Sequence, residues 1–160
     1  MIRTGFGYDM HRLETGHDLW LGGIKIDHNK GAVAHSDGDT LIHAICDSLL
    51  GAAKLGDIGR HFPDHSSDFE NADSKELLAL VNQLLKEKDC SISNIDSTII
   101  LEKPKLASRI PEMEAKIASV LGIDPGQVSV KAKTNEKTGE IGVGNAVAAY
   151  AVCLITKPDH

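Results

Sequence analysis

Apolar and polar residues alternate in several short segments of the chain, which is the pattern of strands with one buried face. The first such segment spans residues 2–11, where Ile2, Thr4, Phe6 and Tyr8 alternate with small or polar neighbours. The pattern recurs at 18–26, where Gly22-Gly23 predicts a bulge, and at 94–103 and 127–134. Each of these segments is predicted to be a strand.

Three other segments repeat apolar residues at helical spacing. The first follows Ser36, which forms a capping-box-like start with Asp39, and its predicted buried stripe is Leu41, Ile45, Leu49 and Ala52. The second begins at Ser74 and carries Leu77, Leu78, Val81, Leu84 and Leu85. The third runs from Pro111 to Gly122, residues suited to a helix start and a helix end. A loop is predicted over about 56–72.

The last apolar segment, 145–157, fits a strand or a helix, and its alternating small and β-branched residues favour a strand. The sum is a sheet with helices over one face, which is either α/β or α+β. The short connection between the two opening strands favours a mixed sheet. We expect one domain over 1–160, because no repeat or long linker divides the chain.

Composition limits the partners. The 160 residues carry a formal net charge of −6 with no run of like charges, and this acidic balance argues against nucleic acid and against an anionic membrane surface. The N-terminus shows no secretion signal, and the apolar stretch 146–155 is too short to cross a bilayer. Cys46, Cys90 and Cys153 form neither a disulfide framework nor a Cys-x-x-Cys site. A cytoplasmic compartment is expected.

Asp9 and His11 form the sharpest local pattern. Residues two apart on a strand point to the same side, so a carboxylate and an imidazole converge, and both are zinc ligands. His43, between Asp39 and Asp47 on the predicted helix, is a third candidate ligand. Three protein ligands leave a fourth position open, as in catalytic zinc sites. Taken alone, Asp-x-His is more typical of a solvent-facing pair at a strand end.

The stretch "AHSDGD", residues 34–39, precedes that helix. Free N–H groups and the helix dipole favour anions there, so His35 and Ser36 are candidates for contacting a phosphoryl oxygen. The alternative, a polar capping turn, accounts for Ser36, Asp37 and Gly38 but less well for His35.

Two further segments mix functional side chains with glycine. "LGDIGRHFPDHS" contains Asp57 and Asp64 for hydroxyl recognition, although a plain loop is the simpler interpretation. "KAKTNEKTG" contains Thr134, Glu136 and the three lysines 131, 133 and 137, which could hold a hydrated cation and a diphosphate together or simply form an exposed strand end. The remaining histidines are interpreted as surface or loop residues: His17, His28, His61, His65 and His160.

The ordered set of D-M-H, AHSDGD, a helical histidine, GDIG, FPD, PK and K-T-x-E-K closely resembles one family. That family is 2-C-methyl-D-erythritol 2,4-cyclodiphosphate synthase, of the non-mevalonate isoprenoid pathway. The resemblance runs from about residue 2 to residue 157. The ordered set is highly specific, although each piece alone is weak.

The resemblance implies a homotrimer with active sites between neighbouring subunits. Each subunit would be an α+β two-layer sandwich, a mixed sheet of four to five strands with helices on one face. The implied reaction converts 4-diphosphocytidyl-2-C-methyl-D-erythritol 2-phosphate into 2-C-methyl-D-erythritol 2,4-cyclodiphosphate and CMP. The 2-phosphate of the substrate itself attacks the β-phosphate.

The resemblance also implies roles for individual residues. Zinc would be bound by Asp9, His11 and His43, and a second ion, Mg²⁺ or Mn²⁺, by Glu136. His35 and Thr134 would be catalytic by orienting the phosphates, with Ser36 beside them. The methylerythritol part would contact Asp57, Ile58, Gly59, Phe62, Pro63 and Asp64. The cytidine pocket would include Leu101, Pro104, Lys105, Leu106, Ala107, Ala132 and Lys133. Asp9, His11, Thr134 and Glu136 would contact substrate as well.

One segment departs from the family pattern. Many members have an aromatic residue and a Gly-Arg-Gly-Glu run after the lysine at position 137, but this chain has Glu140, Val143 and Asn145 there. In the family, that region lines a pocket on the trimer axis where an isoprenoid diphosphate can bind through the arginine. Without the arginine, a diphosphate buried in that pocket would have an uncompensated negative charge. We therefore expect weak or no isoprenoid diphosphate binding.

Two other functions compete with the synthase. A zinc-dependent phosphohydrolase would place water in the open metal position and release inorganic phosphate. A non-catalytic binding module with a structural metal would need a closed four-ligand site, often with cysteine, and no cysteine lies near Asp9 in the sequence. Neither accounts for the whole ordered set of motifs.

Overall fold

The structure is a computed structural model that describes residues 1–63 and 72–158. Within that part, the strands are β1 (Ile2–Thr15), β2 (Leu19–Leu21), β3 (Ile24–Ile26), β4 (Lys30–Ala32), β5 (Ser91–Ile100), β6 (Val128–Lys133) and β7 (Ala146–Thr156). The helices are α1 (Thr40–Ala52), α2 (Ile58–His61), α3 (Ser74–Glu87), α4 (Ile110–Leu121) and α5 (Gly139–Gly142).

Five strands form one mixed sheet in the order β4-β1-β7-β5-β6. β1 pairs antiparallel with β4 and β7, β7 pairs antiparallel with β5, and β5 pairs parallel with β6. Helix α1 packs on β1 and β7, α4 packs on β6, and α3 packs on α1 and α4. The predicted fold class, an α+β mixed sheet with helices on one face, is therefore confirmed.

Helix α1 approaches β1 closely because two glycines leave room for it. A Cβ atom on Gly5 would lie 1.8 Å from the carbonyl oxygen of Ser48, and one on Gly7 would lie 1.9 Å from that of Ala44. Asp9 and His11 continue the same side of β1, so they point towards α1. The alternation in residues 2–11 is a strand as predicted, and Phe6 is among the residues on its exposed side.

The predicted bulge at Gly22-Gly23 is wrong. Both glycines have positive φ, 63° and 77°, and they form the turn of a separate hairpin between β2 and β3. The predicted helix start at Ser36 is also wrong, because α1 begins at Thr40 and its N-cap is Asp39. The buried carboxylate of Asp39 accepts hydrogen bonds from the N–H groups of Gly22, Gly23 and Ile42, which ties the hairpin to the helix.

The other predicted elements are present. The predicted stripe of α1 is buried, α3 begins at Ser74, and Gly122 ends α4 with a φ of 68°. The last segment is a strand, β7, as favoured. The pattern missed β4 and the short helices α2 and α5, of which α2 lies inside the predicted loop. In residues 1–63 and 72–158, we find no helix with the length and apolarity needed to cross a membrane.

Candidate active site

Asp9, His11 and His43 meet where β1 faces α1. Asp9 Oδ2 lies 2.9 Å from His11 Nε2 and 3.0 Å from His43 Nδ1. The two ring nitrogens lie 3.4 Å apart. In a tetrahedral site with ligands about 2.0–2.1 Å from zinc, two ligand atoms are about 3.3 Å apart. The three groups therefore have the chemistry and the spacing to hold one divalent metal ion.

The charges in this group stabilise one another. Burial alone raises the pKa of Asp9, but its hydrogen bonds and charge interactions with His11 and His43 outweigh burial and lower that pKa well below its usual range. Burial lowers the pKa of His43, whereas the hydrogen bond that His43 donates to Asp9 and the charges of Asp9, Asp39 and Asp37 raise this pKa overall. The site thus keeps Asp9 ionised next to a positive charge, which is either a protonated imidazole or a metal ion.

The second nitrogen of His43 faces two hydroxyl groups. Its Nε2 lies 2.9 Å from Ser74 Oγ and 3.3 Å from Ser36 Oγ. Ser74 comes from the start of α3. The His43 ring therefore has contacts from β1 through Asp9, from the loop before α1 through Ser36, and from α3 through Ser74. Ser74 was not predicted as a site residue, because its contact with His43 depends on how α3 packs on α1.

A cavity of about 370 Å³ opens beside the three candidate ligands. We call the residues that line it the metal pocket: Asp9, His11, Val33, Ala34, His35, Ser36, His43, Ile58, Gly59, Phe62 and Leu77. The pocket therefore brings together the predicted ligands with His35, Ser36, Ile58, Gly59 and Phe62. Val33, Ala34 and Leu77 were not predicted.

Two neighbours of the pocket hold its wall in place. Asp57 caps α2 by accepting a hydrogen bond from the N–H of Arg60 at 2.9 Å. Asp47 accepts one from the N–H of Ile58 at 2.7 Å, which fixes α2 to α1. Pro63 follows α2 and is half-buried. The predicted contact Asp64 and the histidine His65 lie outside the described residues, as does His160.

The remaining predicted residues lie on two segments, one that follows β5 and one at the end of β6, and we call them the strand-end group: Leu101, Pro104, Lys105, Leu106, Ala107, Ala132, Lys133, Thr134 and Glu136. The Leu101 N–H donates to the Lys133 carbonyl at 2.9 Å, and this hydrogen bond joins the segment after β5 to the end of β6. Thr134 Oγ1 donates to Glu136 Oε1 at 3.1 Å. This group does not line the metal pocket of the described chain.

The side chain of Glu102 supports the strand-end group. Its carboxylate accepts hydrogen bonds from the N–H groups of Asn135 at 3.0 Å and Lys137 at 3.2 Å. Glu136 and Lys137 both have left-handed φ values, 50° and 60°, which non-glycine residues rarely adopt. Glu102 therefore holds a strained turn that presents Thr134 and Glu136. This role was not visible in the sequence.

The fold and the site define an α+β protein with a three-ligand candidate metal site where a strand faces a helix. The family model described as the YgbB family matches residues 2–156. The chain belongs to this family, and the similar curated proteins bear the name 2-C-methyl-D-erythritol 2,4-cyclodiphosphate synthase.

The similarity extends over nearly the whole chain. It is 53% identical to the synthase of Phocaeicola vulgatus, with 99% of each chain covered. The Plasmodium falciparum structure described as IspF in complex with CDP has a TM-score of 0.86 at 37% identity, with 99% of this chain and 97% of that chain covered. The bifunctional IspDF of Campylobacter jejuni has a TM-score of 0.95 at 38% identity, and the match covers 99% of this chain and 43% of that longer chain.

These matches confirm the predicted family and the predicted function. The chain is an enzyme of the cyclodiphosphate synthase family, and its reaction is the cyclisation step in isoprenoid biosynthesis.

Proposed function

We propose that the metal pocket and the strand-end group together carry out this cyclisation in a metal-dependent, CMP-releasing lyase reaction. The observation that carries the proposal is the convergence of Asp9, His11 and His43 beside a cavity that His35 and Ser36 also line. A protein of net charge −6 needs local positive charge to hold a substrate with three phosphate groups.

The donor set fits zinc at Asp9, His11 and His43, because one oxygen and two imidazole nitrogens lie at tetrahedral spacing. Glu136 offers a single carboxylate beside Thr134, which suits a Mg²⁺ or Mn²⁺ ion that takes its other ligands from phosphates and water. When bound, such cations neutralise phosphate charge and make the β-phosphorus more electrophilic.

The residues of the chain position the phosphates. His35 and Ser36 face the cavity next to His43, so they are placed to hydrogen-bond a phosphoryl oxygen. Thr134 supplies a second hydroxyl donor from the strand-end group. Preorganised donors of this kind stabilise the charge that develops in phosphoryl transfer.

The reaction needs no nucleophile from the protein. An oxygen of the substrate's 2-phosphate forms a bond to the β-phosphorus, and the bond from that phosphorus to the oxygen bridging the α- and β-phosphates breaks. The bridging oxygen leaves with CMP, and the cyclic diphosphate remains. A phosphate is already largely ionised near neutral pH, so no general base is required. Positioning supplies most of the catalysis.

We assign the two ends of the substrate to two different segments. The α2 segment, with Asp57, Ile58 and Gly59, lies at the metal pocket and suits the methylerythritol part, and Phe62, Pro63 and Asp64 continue it along the chain. The cytidine would bind at the strand-end group, which includes Lys105 and Lys133. The complex of the Plasmodium falciparum relative with CDP supports a nucleotide ligand for this family.

A homotrimer would unite the metal pocket with the strand-end group of a neighbouring subunit. In the described chain the strand-end group does not line the metal pocket. The sheet face away from the helices exposes Phe6, Tyr8, Met10, Tyr150 and Val152. The Tyr8 and Tyr150 ring centroids lie 5.1 Å apart. An exposed apolar patch of this kind marks an interaction surface. Sedimentation analysis should give three chains per particle.

A reducing, cytoplasmic compartment agrees with the cysteines. Cys46, Cys90 and Cys153 are buried free thiols, whereas secreted proteins usually pair their cysteines. Burial raises the pKa of the Cys46 thiol, which makes it unreactive.

The proposal is tested by separating products chromatographically after incubation with the cytidyl 2-phosphate substrate. The expected products are CMP and a cyclic diphosphate in equal amounts. Inorganic phosphate as the main product, or its release from simple phosphoesters, would instead show a phosphohydrolase. An Asp9→Asn variant should reduce CMP formation at least about a hundredfold, since the metal contributes several kcal/mol.

A further inference from the structure

Ser74 connects the candidate metal site to a carboxylate outside it. The Ser74 side chain is fully buried, and its Oγ lies 2.9 Å from His43 Nε2. The opposite ring nitrogen, Nδ1, faces Asp9 at 3.0 Å. The two nitrogens of one imidazole therefore have different partners, one on the metal side and one on the side of α3.

Asp37 fixes the direction of the Ser74 hydroxyl. Ser74 Oγ donates a short hydrogen bond to Asp37 Oδ1, and the Ser74 N–H donates to Asp37 Oδ2 at 2.9 Å. A carboxylate can only accept hydrogen bonds. The hydroxyl hydrogen therefore points to Asp37, and the Ser74 oxygen is left to accept a hydrogen bond from His43.

This direction determines the role of each nitrogen of His43. Nε2 is the N–H that donates to Ser74. Nδ1, which faces the accepting carboxylate of Asp9 in the metal-free protein, is the nitrogen left to offer its lone pair to a metal ion held by Asp9 and His11. Ser36 Oγ, at 3.3 Å from Nε2, accepts the Gly38 N–H. It lies farther from Nε2 than Ser74 does.

We propose that Asp37 and Ser74 are positioning residues that hold His43 in the tautomer and orientation needed for metal binding through Nδ1. The inference rests on the proposed function, because it assumes a cation at the three ligands. Partners that orient a metal-binding histidine in this way typically change metal affinity about 10–100-fold when they are removed.

A purely structural role accounts for these contacts less well. The start of α3 is already capped by Asp73, whose carboxylate accepts the Lys75 N–H at 2.9 Å. The Ser74 hydroxyl is therefore not needed to cap the helix, and its hydrogen bonds run to Asp37 and to His43.

The test compares Ser74→Ala with Ser97→Ala, a matched control. Ser97 is also a buried serine, on β5, and its hydroxyl donates to the Ser129 carbonyl at 2.9 Å. Zinc affinity is measured by competition with a chromophoric chelator. Ser74→Ala should bind zinc about 10–100-fold more weakly than the wild type, and Ser97→Ala should match the wild type. Ser74→Thr, which keeps a hydroxyl, should recover most of the loss.

Proton NMR of the zinc-loaded protein gives a second readout. The wild type should show a slowly exchanging His43 Nε2–H resonance, and Ser74→Ala should lose it. Asp37→Asn replaces one accepting oxygen with an NH₂ donor. If Ser74→Ala folds poorly, this variant tests the same hydrogen bonds from Asp37 through Ser74 to His43. It should weaken zinc binding in the same direction.

The outcomes separate this inference from the proposed function. Zinc binding by the wild type with equal affinity in Ser74→Ala and Asp37→Asn would overturn the positioning role and leave the metal site intact. A wild-type protein that binds no zinc would overturn both.

Discussion

Asp9 Oδ2 lies 3.0 Å from His43 Nδ1, although the two residues are 34 positions apart in the sequence. The contact exists because Gly5 and Gly7 allow the backbone of α1 to lie against β1. The glycines thus control the distance between the strand that carries two candidate ligands and the helix that carries the third.

Replacing Gly7 with alanine should damage both the fold and the site. The added Cβ would meet the backbone of α1 at Ala44, where no side-chain movement can relieve the clash. We expect Gly7→Ala to lower the free energy of unfolding by about 3 kcal/mol or more and to weaken zinc binding. Urea unfolding and chelator competition measure the two effects.

Gly51→Ala is the matched control for that experiment. Gly51 is an exposed residue of α1 itself, and nothing is within 4 Å of its added Cβ. It should raise stability by up to about 1 kcal/mol, because alanine favours helix more than glycine does. Equal stability of Gly7→Ala and the wild type would disprove the close-approach account.

The metal-free protein should lose stability as the pH rises above neutrality. The pKa of His43 is raised in the folded protein by Asp9 against the effect of burial. Protonated His43 therefore contributes its full stabilisation of the folded protein below its unfolded pKa of about 6.5. This stabilisation disappears as the pH rises through the higher folded pKa. The pKa of Asp9 is lowered, so its contribution is present above about pH 4.

The measurement is urea unfolding of chelator-treated wild type and His43→Gln at about pH 5.5 and about pH 9, at fixed protein concentration. The stability advantage of the wild type should be larger at the lower pH. A difference that is constant or grows with pH would contradict the Asp9–His43 ion pair.

Removal of the Glu102 carboxylate should impair catalysis without affecting zinc binding. Glu102 accepts the N–H groups of Asn135 and Lys137 and so holds the turn that carries Thr134. We expect Glu102→Ala to lower kcat/KM about tenfold, which corresponds to about 1.4 kcal/mol of lost positioning. Zinc affinity should stay at the wild-type value, since Glu102 does not line the metal pocket.

Glu112 provides the comparison for Glu102. It is an exposed glutamate on α4 that pairs with Arg109 at 3.0 Å. Glu112→Ala should retain wild-type kcat/KM. If the two alanine variants are equally active, Glu102 does not position the strand-end group.

Isoprenoid diphosphates should bind weakly or not at all. Val143 stands where many family members have arginine, and its side chain is 63% exposed. Glu140 adds negative charge nearby and accepts a hydrogen bond from Asn145 at 3.1 Å. Calorimetry with geranyl or farnesyl diphosphate should show no binding at micromolar concentrations. Micromolar affinity in the wild type would refute this prediction, and Val143→Arg should bind more tightly than the wild type.

Local patterns in the sequence were sufficient for most of the fold and for the three candidate ligands. Strand spacing placed Asp9 and His11 on one side, and helical periodicity predicted α1, α3 and α4. The errors have one physical cause. The turn at Gly22-Gly23, the cap at Asp39 and the contact of Ser74 with His43 depend on partners distant in sequence, which periodicity does not encode.

In the strand-end group, Lys133, Thr134 and Glu136 stood out in the sequence as a possible site for a cation and a diphosphate, and the other members were predicted from the resemblance alone. The residues of this group come from the segment after β5 and the end of β6, and their pairing follows from the parallel register of the two strands. The sequence gives no local signal for Glu102, because its role is to accept backbone hydrogen bonds from residues more than thirty positions away.

Phosphorus NMR of the cytidyl 2-phosphate substrate incubated with the protein tests metal-dependent cyclisation directly. We expect signals of CMP and of a cyclic diphosphate with the wild type, their disappearance with a chelator, and their return when zinc and magnesium are added. Asp9→Asn should give neither product at a comparable rate. Full conversion by the metal-stripped wild type, or by metal-stripped Asp9→Asn, would contradict the metal-dependent cyclisation.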